Sequence, residues 1–382
     1  MAKNRTADDA RRAIGSSAQG PDDEDRGSCS FTPARHEADL ALDSYRKSVG
    51  RTPIVRIHAV LDGLARSIFV KMESMNPCGS IKDRAAIALV DSVGVGRIRR
   101  DQLSIVESTS GNLGIALATI AHIAGFPFIA VVDPKTPQFA LREMRSRGAQ
   151  IEMVTRADPV GGFLEARLRR AAYLCSHLDR HVWLNQYANQ ANPRAHYLTT
   201  APEIEAQMDG AVDSLFVPVS TGGTLAGLAR YFRATHPEAR IVAVDAVGSS
   251  VMGGAPAPRR LTGIGASRTS TFVEPWHFDE VTYVTDAEAF AFCRALAADT
   301  RISLGGSSGA VLAACCRDLA RHSGLRRPVC LAPDGGDRYI DTIYDDGWMG
   351  PKDAAAGSGM FDAAGTGKAI RFAVTGDTRA AL

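Results

Sequence analysis

Four short runs in this chain carry residue types that could do chemistry together. Ser80-Ile-Lys-Asp-Arg84 offers an amine, Lys82, at the start of a helical pattern. A lysine buried among apolar or positive groups loses basicity and becomes a nucleophile toward aldehydes. Ser220-Thr-Gly-Gly-Thr224 follows the strand-like run LFVPV and opens a helix. Glycines there let backbone N–H groups turn toward an anion, and the helix dipole favours a phosphate. Ser108-Thr-Ser-Gly-Asn-Leu-Gly114 sits at a second strand-to-helix junction, and Gly305-Gly-Ser-Ser-Gly309 heads a third helix. The set supplies an amine, a phosphate cradle and neutral hydrogen-bonding groups. Neither a G-x-G-x-x-G dinucleotide fingerprint nor a P-loop lysine accompanies the glycines.

These are the groups that pyridoxal phosphate needs, and their order and types resemble the cysteine synthase/cystathionine β-synthase family of fold type II enzymes. The resemblance runs from about residue 43 to about 348. It implies an α/β fold like the tryptophan synthase β subunit, two three-layer α/β lobes with the cofactor in the cleft between them. It makes Lys82 the Schiff-base lysine and later the base that removes the substrate Cα proton. It assigns Thr221, Gly222, Gly223 and Thr224 to the cofactor phosphate, with the Ser220 hydroxyl in reach of the phosphate or a substrate group, Asn112 to the ring oxygen, and Ser307 to the pyridine nitrogen. A neutral serine at that nitrogen leaves a shallow electron sink, which favours β-elimination over transamination. Thr109, Ser110, Asn112 and Gln186 are expected to face the substrate carboxylate, and Gly263 lies in a loop lining the mouth. The family commonly has Gly at position 220 and Thr at 113, where this chain has Ser220 and Leu113.

Several runs are similar to the branch that makes N-(2-amino-2-carboxyethyl)-L-glutamate: ESTSGNLG, VDPKT, NQYANQANPRAHY, GIGASRTS and APDGGDRY. That branch condenses O-phospho-L-serine with L-glutamate through an α-aminoacrylate, on the way to 2,3-diaminopropionate in siderophores and antibiotics. Both substrates are anionic, and Arg268 is the candidate guanidinium for them. The alternative is a sulfur nucleophile, as in a cysteine synthase or cystathionine β-synthase. The resemblance also implies amino-acid substrates and a homodimer.

The elements that must position these groups are legible as alternation. Strand-like runs at 68–72, 103–107, 128–133, 150–154, 215–219, 240–247 and 328–333 are separated by helical patterns such as 112–125 and 223–235. This predicts parallel sheets with helices on both faces, and ligands at the strands' carboxyl ends. Residues 1–40 read as a disordered extension, 41–350 as the catalytic domain with a mobile subdomain within 105–180, and 351–382 as an Ala/Gly-rich tail whose RFAV run could pair.

Composition narrows the classes. A net charge of +2 argues against nucleic-acid partners. No apolar run reaches the ~18–20 residues a membrane span needs. Seven cysteines without disulfide-like spacing, and an N-terminus with no signal-like apolar stretch, suggest a reduced, cytoplasmic protein. No metal site is expected; Cys29 and His36 lack distinctive haem-ligand surroundings.

Overall fold

The structure is a computed structural model that describes residues 35–61, 63–350 and 370–374. Most of the expected extension and tail therefore lies outside the described residues. The chain enters at α1 (Arg35–Ser48), which begins inside the span read as an extension. A hairpin follows, β1 (Ile54–Leu61) and β2 (Leu64–Met72), then α2 (Lys82–Val93) and α3 (Val95–Arg100). The next stretch alternates: β3 (Ser104–Ser108), α4 (Asn112–Ala124), β4 (Phe128–Val132), α5 (Gln138–Ser146), β5 (Gln150–Met153), α6 (Gly162–His177) and β6 (His181–Trp183). Then come α7 (Ala191–Ala195), α8 (Ala201–Gln207), β7 (Ser214–Pro218), α9 (Gly223–Thr235), β8 (Arg240–Ala246) and β9 (Glu280–Val284). The chain closes with α10 (Asp286–Thr300), α11 (Gly306–Arg321), β10 (Pro328–Ala332), α12 (Asp346–Met349) and β11 (Arg371–Val374).

These strands form two sheets. The smaller is parallel, in the order β5-β4-β3-β6, and the larger runs β11-β1-β2-β10-β7-β8-β9. All seven runs read as strands from the sequence are strands. The all-parallel expectation fails at one edge, where β1 pairs antiparallel with β2 and β11 pairs antiparallel with β1. The cause is local: Gly63, at φ 81°, lies in a tight turn that brings Leu61 opposite Leu64. A turn that short can join only antiparallel strands.

Each sheet is covered on both faces, because strands apolar on both sides must bury both. On the small sheet, α4 and α5 shelter one face, with Leu113, Leu117, Leu141 and Met144 against Phe128 and Val132. Helix α6 covers the other face through Ala171 and Leu174. On the large sheet, α10 and α11 pack on one face, where Phe372 of β11 also inserts beside Phe292. Leu225, Leu228 and Phe232 of α9 fill the other. Helix α6 also reaches this last cluster through Leu164 and Leu168, so one helix serves both lobes.

Helix α2 carries Lys82 and is held by a buried ionic cluster. Arg84 donates to both carboxylate oxygens of Glu73 (2.7 and 2.8 Å) and of Glu203 (2.8 and 2.7 Å). The fully buried Lys71 ammonium reaches Glu203 (2.8 Å) and Gln207 (3.0 Å). Burial penalises the Glu203 carboxylate, yet Arg84 and Lys71 outweigh it and hold its pKa down to about 2. Removing one partner of such a set strands the opposite charge in a dry site. Arg84→Ala is therefore expected to cost about 3–5 kcal/mol of stability at pH 7. Glu203's own contribution is complete above its ordinary value of 4.5 and is lost as pH falls toward 2. Urea unfolding of the two proteins from pH 7 down to 3 checks both points; a loss below 1 kcal/mol at pH 7 would contradict the first.

Candidate active site

Ser220–Thr224 shares a cleft with Lys82, whereas Ser108–Gly114 and Gly305–Gly309 contribute no residue to its lining; Ser307 lies near it through Gly263, and Asn112 bonds Asp334 on the large lobe. This open cleft is lined by Ile81, Lys82, Ser220, Thr221, Gly222, Thr224 and Gly263, with Pro218, Leu331 and Pro333 behind them. Lys82 is the first residue of α2, and its N–H donates to Ser80 Oγ (3.2 Å). Burial draws its amine below the ordinary lysine value, and the nearby Asp334 carboxylate partly offsets this. A neutral fraction of the amine is what a nucleophile toward an aldehyde requires.

Ser220–Thr224 joins β7 to α9. Gly222 adopts φ 89°, and a Cβ there would lie 2.1 Å from Ser270 Oγ. Ser270 in turn donates to the Thr221 carbonyl (2.7 Å). Thr221 Oγ1 accepts from Asn192 (3.2 Å) and from the Gly223 N–H (3.3 Å). Gly223 is also confined, since a Cβ there would meet Asn192 Oδ1 at 2.4 Å. Thr224 Oγ1 lies 3.2 Å from Nε2 of the buried His196. Burial pushes His196 well below its ordinary value, with Lys82 and Arg84 adding to the shift. A neutral imidazole can therefore anchor this threonine at pH 7. The loop presents the first-turn amides of a thirteen-residue helix to the cleft, a suitable seat for a phosphate.

Ser307 lies in the first turn of α11, 1% exposed, with its hydroxyl unpartnered. Gly263, at φ 77°, passes close by: a Cβ there would be 3.8 Å from Ser307 Oγ. A buried hydroxyl without a partner beside a cleft fits a ligand that completes it. Asn112 begins α4 on the small lobe. Its Nδ2 donates to Asp334 (2.8 Å), and its Oδ1 accepts from Arg338.

The residues expected at the substrate carboxylate have partly structural employment. Thr109 Oγ1 accepts from the Gly114 N–H (2.9 Å) and fastens the turn into α4. Ser110 is exposed at the same turn. Gln186 is buried, and its Nε2 donates to the Ser108 carbonyl (2.7 Å), tying the segment after β6 to the end of β3. Arg268 is 39% exposed in its side chain and pairs loosely with Glu165 of α6 at 3.5 Å; it is not among the residues lining the cleft.

Sequence reasoning named Tyr187 as a border of the Gln186 pocket but passed over several charged groups near it. Arg167 of α6 is buried against Asp133 (3.1 Å), at the carboxyl end of β4, and its Nη1 has no partner. Tyr187 is raised by burial, with Arg167 and Arg268 both acting on its hydroxyl. Glu107 is wholly buried, pushed up to about 8 by burial, and accepts the Gln186 N–H at 3.3 Å. Asp334, Arg338 and Tyr339 stand in the APDGGDRY run already noted for its resemblance, yet nothing local in that run shows that they meet Asn112.

A family model described as pyridoxal-phosphate dependent enzyme matches residues 45–334. The chain is 43% identical over 317 residues to an N-(2-amino-2-carboxyethyl)-L-glutamate synthase of Ralstonia nicotianae, covering 83% of this chain and 94% of the relative. It is 41% identical to a protein of the same name from Cupriavidus metallidurans, covering 81% and 92%. Among solved structures it is similar to an O-ureido-L-serine-bound mutant of O-ureido-L-serine synthase, with TM-score 0.72, 30% identity and coverage of 83% and 97%. It is also similar to an O-acetylserine dependent cystathionine beta-synthase of Helicobacter pylori, with TM-score 0.71, 29% identity and coverage of 79% and 98%.

The cleft fits pyridoxal phosphate by its own chemistry: an amine of lowered basicity, an open helix N-terminus and an unpartnered buried hydroxyl. Gly222→Ala is expected to weaken cofactor binding about tenfold or more. The substitution strains a left-handed backbone, at about 1–3 kcal/mol, and displaces Ser270 from the loop. Equilibrium dialysis against pyridoxal phosphate, with circular dichroism to check the fold, measures this. Unchanged affinity would mean that the loop does not hold the phosphate.

Proposed function

The chain belongs to the pyridoxal-phosphate dependent enzymes, and from that membership we propose that it replaces the phosphate of O-phospho-L-serine with the amine of L-glutamate. The product is N-(2-amino-2-carboxyethyl)-L-glutamate, a precursor of 2,3-diaminopropionate for siderophore or antibiotic biosynthesis. The observation that carries the reading is the likeness to two relatives of that name over more than nine-tenths of their length. Arg167 on the small-lobe side supports it, since both substrates are anions. Arg167 has an unpartnered N–H in a buried setting, and guanidinium groups suit phosphate and carboxylate alike. The proposal includes a homodimer working in the cytoplasm; no helix of the described residues is long and apolar enough to cross a membrane.

The cofactor, when bound, supplies an aldehyde that takes amines and a ring that draws electrons from the substrate Cα. The rest of the work falls to side chains of this chain. Lys82 binds the cofactor through its nitrogen and, once displaced by substrate, moves the Cα proton. Ser307 offers a neutral hydroxyl to the pyridine nitrogen, so the ring is not held protonated as a carboxylate would hold it. Thr109, Ser110 and Gln186, at the ends of β3 and β6, orient the substrate carboxylate. Arg167 and Arg268 attract the phosphate and the incoming dicarboxylate.

Mass analysis of products from purified enzyme, O-phosphoserine and an equimolar mixture of L-glutamate and sulfide tests the reading. The glutamate adduct is expected to exceed cysteine. Arg167→Ala is expected to lower kcat/KM for O-phosphoserine at least tenfold, since one charge-assisted contact is worth about 1.5–3 kcal/mol, and to leave the cofactor's visible spectrum unchanged. Predominant cysteine would instead favour the sulfur nucleophile.

A further inference from the structure

The polar groups around Asn112 form a relay that joins the two lobes. Asn112 belongs to α4 of the small lobe, whereas Asp334, Arg338 and Tyr339 follow β10 of the large sheet. Asp334 Oδ2 accepts from Asn112 Nδ2 (2.8 Å) and from the Tyr339 hydroxyl (2.8 Å). Arg338 donates from Nη1 to Asn112 Oδ1 and from Nη2 to the Cys78 carbonyl, four residues before Lys82. Space has been cleared for both charges. A Cβ on Gly305 would lie 2.0 Å from Asp334 Oδ1, and one on Gly79, at φ 73°, would lie 2.6 Å from Arg338 Nη2. Asp334 is 1% exposed, and its Oδ1 has no hydrogen-bond partner.

Such an arrangement does something specific to an amide. The two ends of an asparagine side chain differ little in shape, so a free one can turn over and exchange its donor and acceptor ends. A guanidinium can only donate, and an ionised carboxylate can only accept. Held between them, the Asn112 amide has one orientation, oxygen to Arg338 and nitrogen to Asp334. The nitrogen carries a second hydrogen, which has no acceptor among the described residues.

We propose that Arg338 and Asp334 are positioning residues that fix the Asn112 amide so that an N–H, never the carbonyl, is presented to the cofactor. The inference rests on the reading that Asn112 faces the cofactor ring. Arg338 acts through Asn112, and Asp334 does so while also bearing on the Lys82 amine. Burial pushes the Asp334 carboxyl up, while Asn112, Tyr339, Arg338 and Lys82 oppose the shift and support its ionised, accepting form. The relay also explains why a small-lobe residue keeps its alignment with groups on the large lobe.

A double-mutant cycle on cofactor affinity tests the clamp. Dissociation of pyridoxal phosphate from the holoenzyme is measured by equilibrium dialysis, and the bound cofactor's absorption maximum is recorded, for Arg338→Met, Asn112→Ala and the double variant. Arg338→Met is expected to weaken binding about tenfold in the native background and less than twofold when Asn112 is already alanine. It should move the absorption maximum in the same direction as Asn112→Ala. An equal loss in both backgrounds would show that Arg338 acts on the fold rather than through the amide and would overturn the proposal. If Asn112→Ala alone changes neither affinity nor spectrum, the ring-facing reading of Asn112 falls and takes the clamp with it. Should Arg338→Met not fold, Arg338→Gln closes the same cycle with the same expectations.

Discussion

The reactive amine must be partly dry and yet firmly held, and most of the architecture answers that constraint. Lys82 loses basicity because burial disfavours its charge, and Asp334 limits the loss. A side chain so placed is useful only if its backbone cannot drift. Helix α2 is accordingly tied on two sides. Arg84 reaches into the Glu73–Glu203–Lys71 cluster beneath the large sheet. Asp83 is bound by the Tyr45 hydroxyl of α1 and the Cys78 N–H. Buried ion sets of this kind are costly to assemble and contribute little net stability; what they give here is position.

The remaining groups arrive by a single device. In each lobe a strand ends at the cleft, and a glycine-bearing turn starts a helix that points its amides inward. β3 leads to Asn112, and β7 leads to Thr221–Thr224. Because the two sheets are separate, Asn112 and the Thr221–Thr224 loop sit on different bodies. The connections between them are therefore informative. Helix α6 packs into both cores, Ser267 reaches the Gly161 carbonyl (3.0 Å), and Thr271 bonds the Tyr187 carbonyl (2.5 Å). These contacts, with the Asp334–Arg338 relay, set the lobes in register around the cleft.

Contiguous signals were legible in the sequence, and distant ones were not. Lys82 and the Thr221–Thr224 loop could be read because the residues that define each lie within five positions, the loop at a strand-to-helix junction that periodicity reveals. The seven strands found from β-branched runs share that locality. β6 escaped because three residues carry no period, and the β1–β2 hairpin because attention to alternating helices implied parallel neighbours. Asp334 and Arg338 lie 222 and 226 positions from Asn112; only the meeting of two lobes gives them a role. Arg268 stands in the mouth loop that suggested a substrate contact, and the fold sets it beside Glu165 of α6; the more deeply buried guanidinium, Arg167, is one that no motif marks.

The central claim, that Lys82 is the amine that holds the cofactor, can be tested without any substrate. The holoenzyme is reduced with borohydride, digested, and its peptides weighed. One modified peptide is predicted, carrying the pyridoxyl phosphate mass on Lys82. Stoichiometric modification of any other lysine, or an unmodified Lys82 in a protein that still retains the cofactor, would contradict the account.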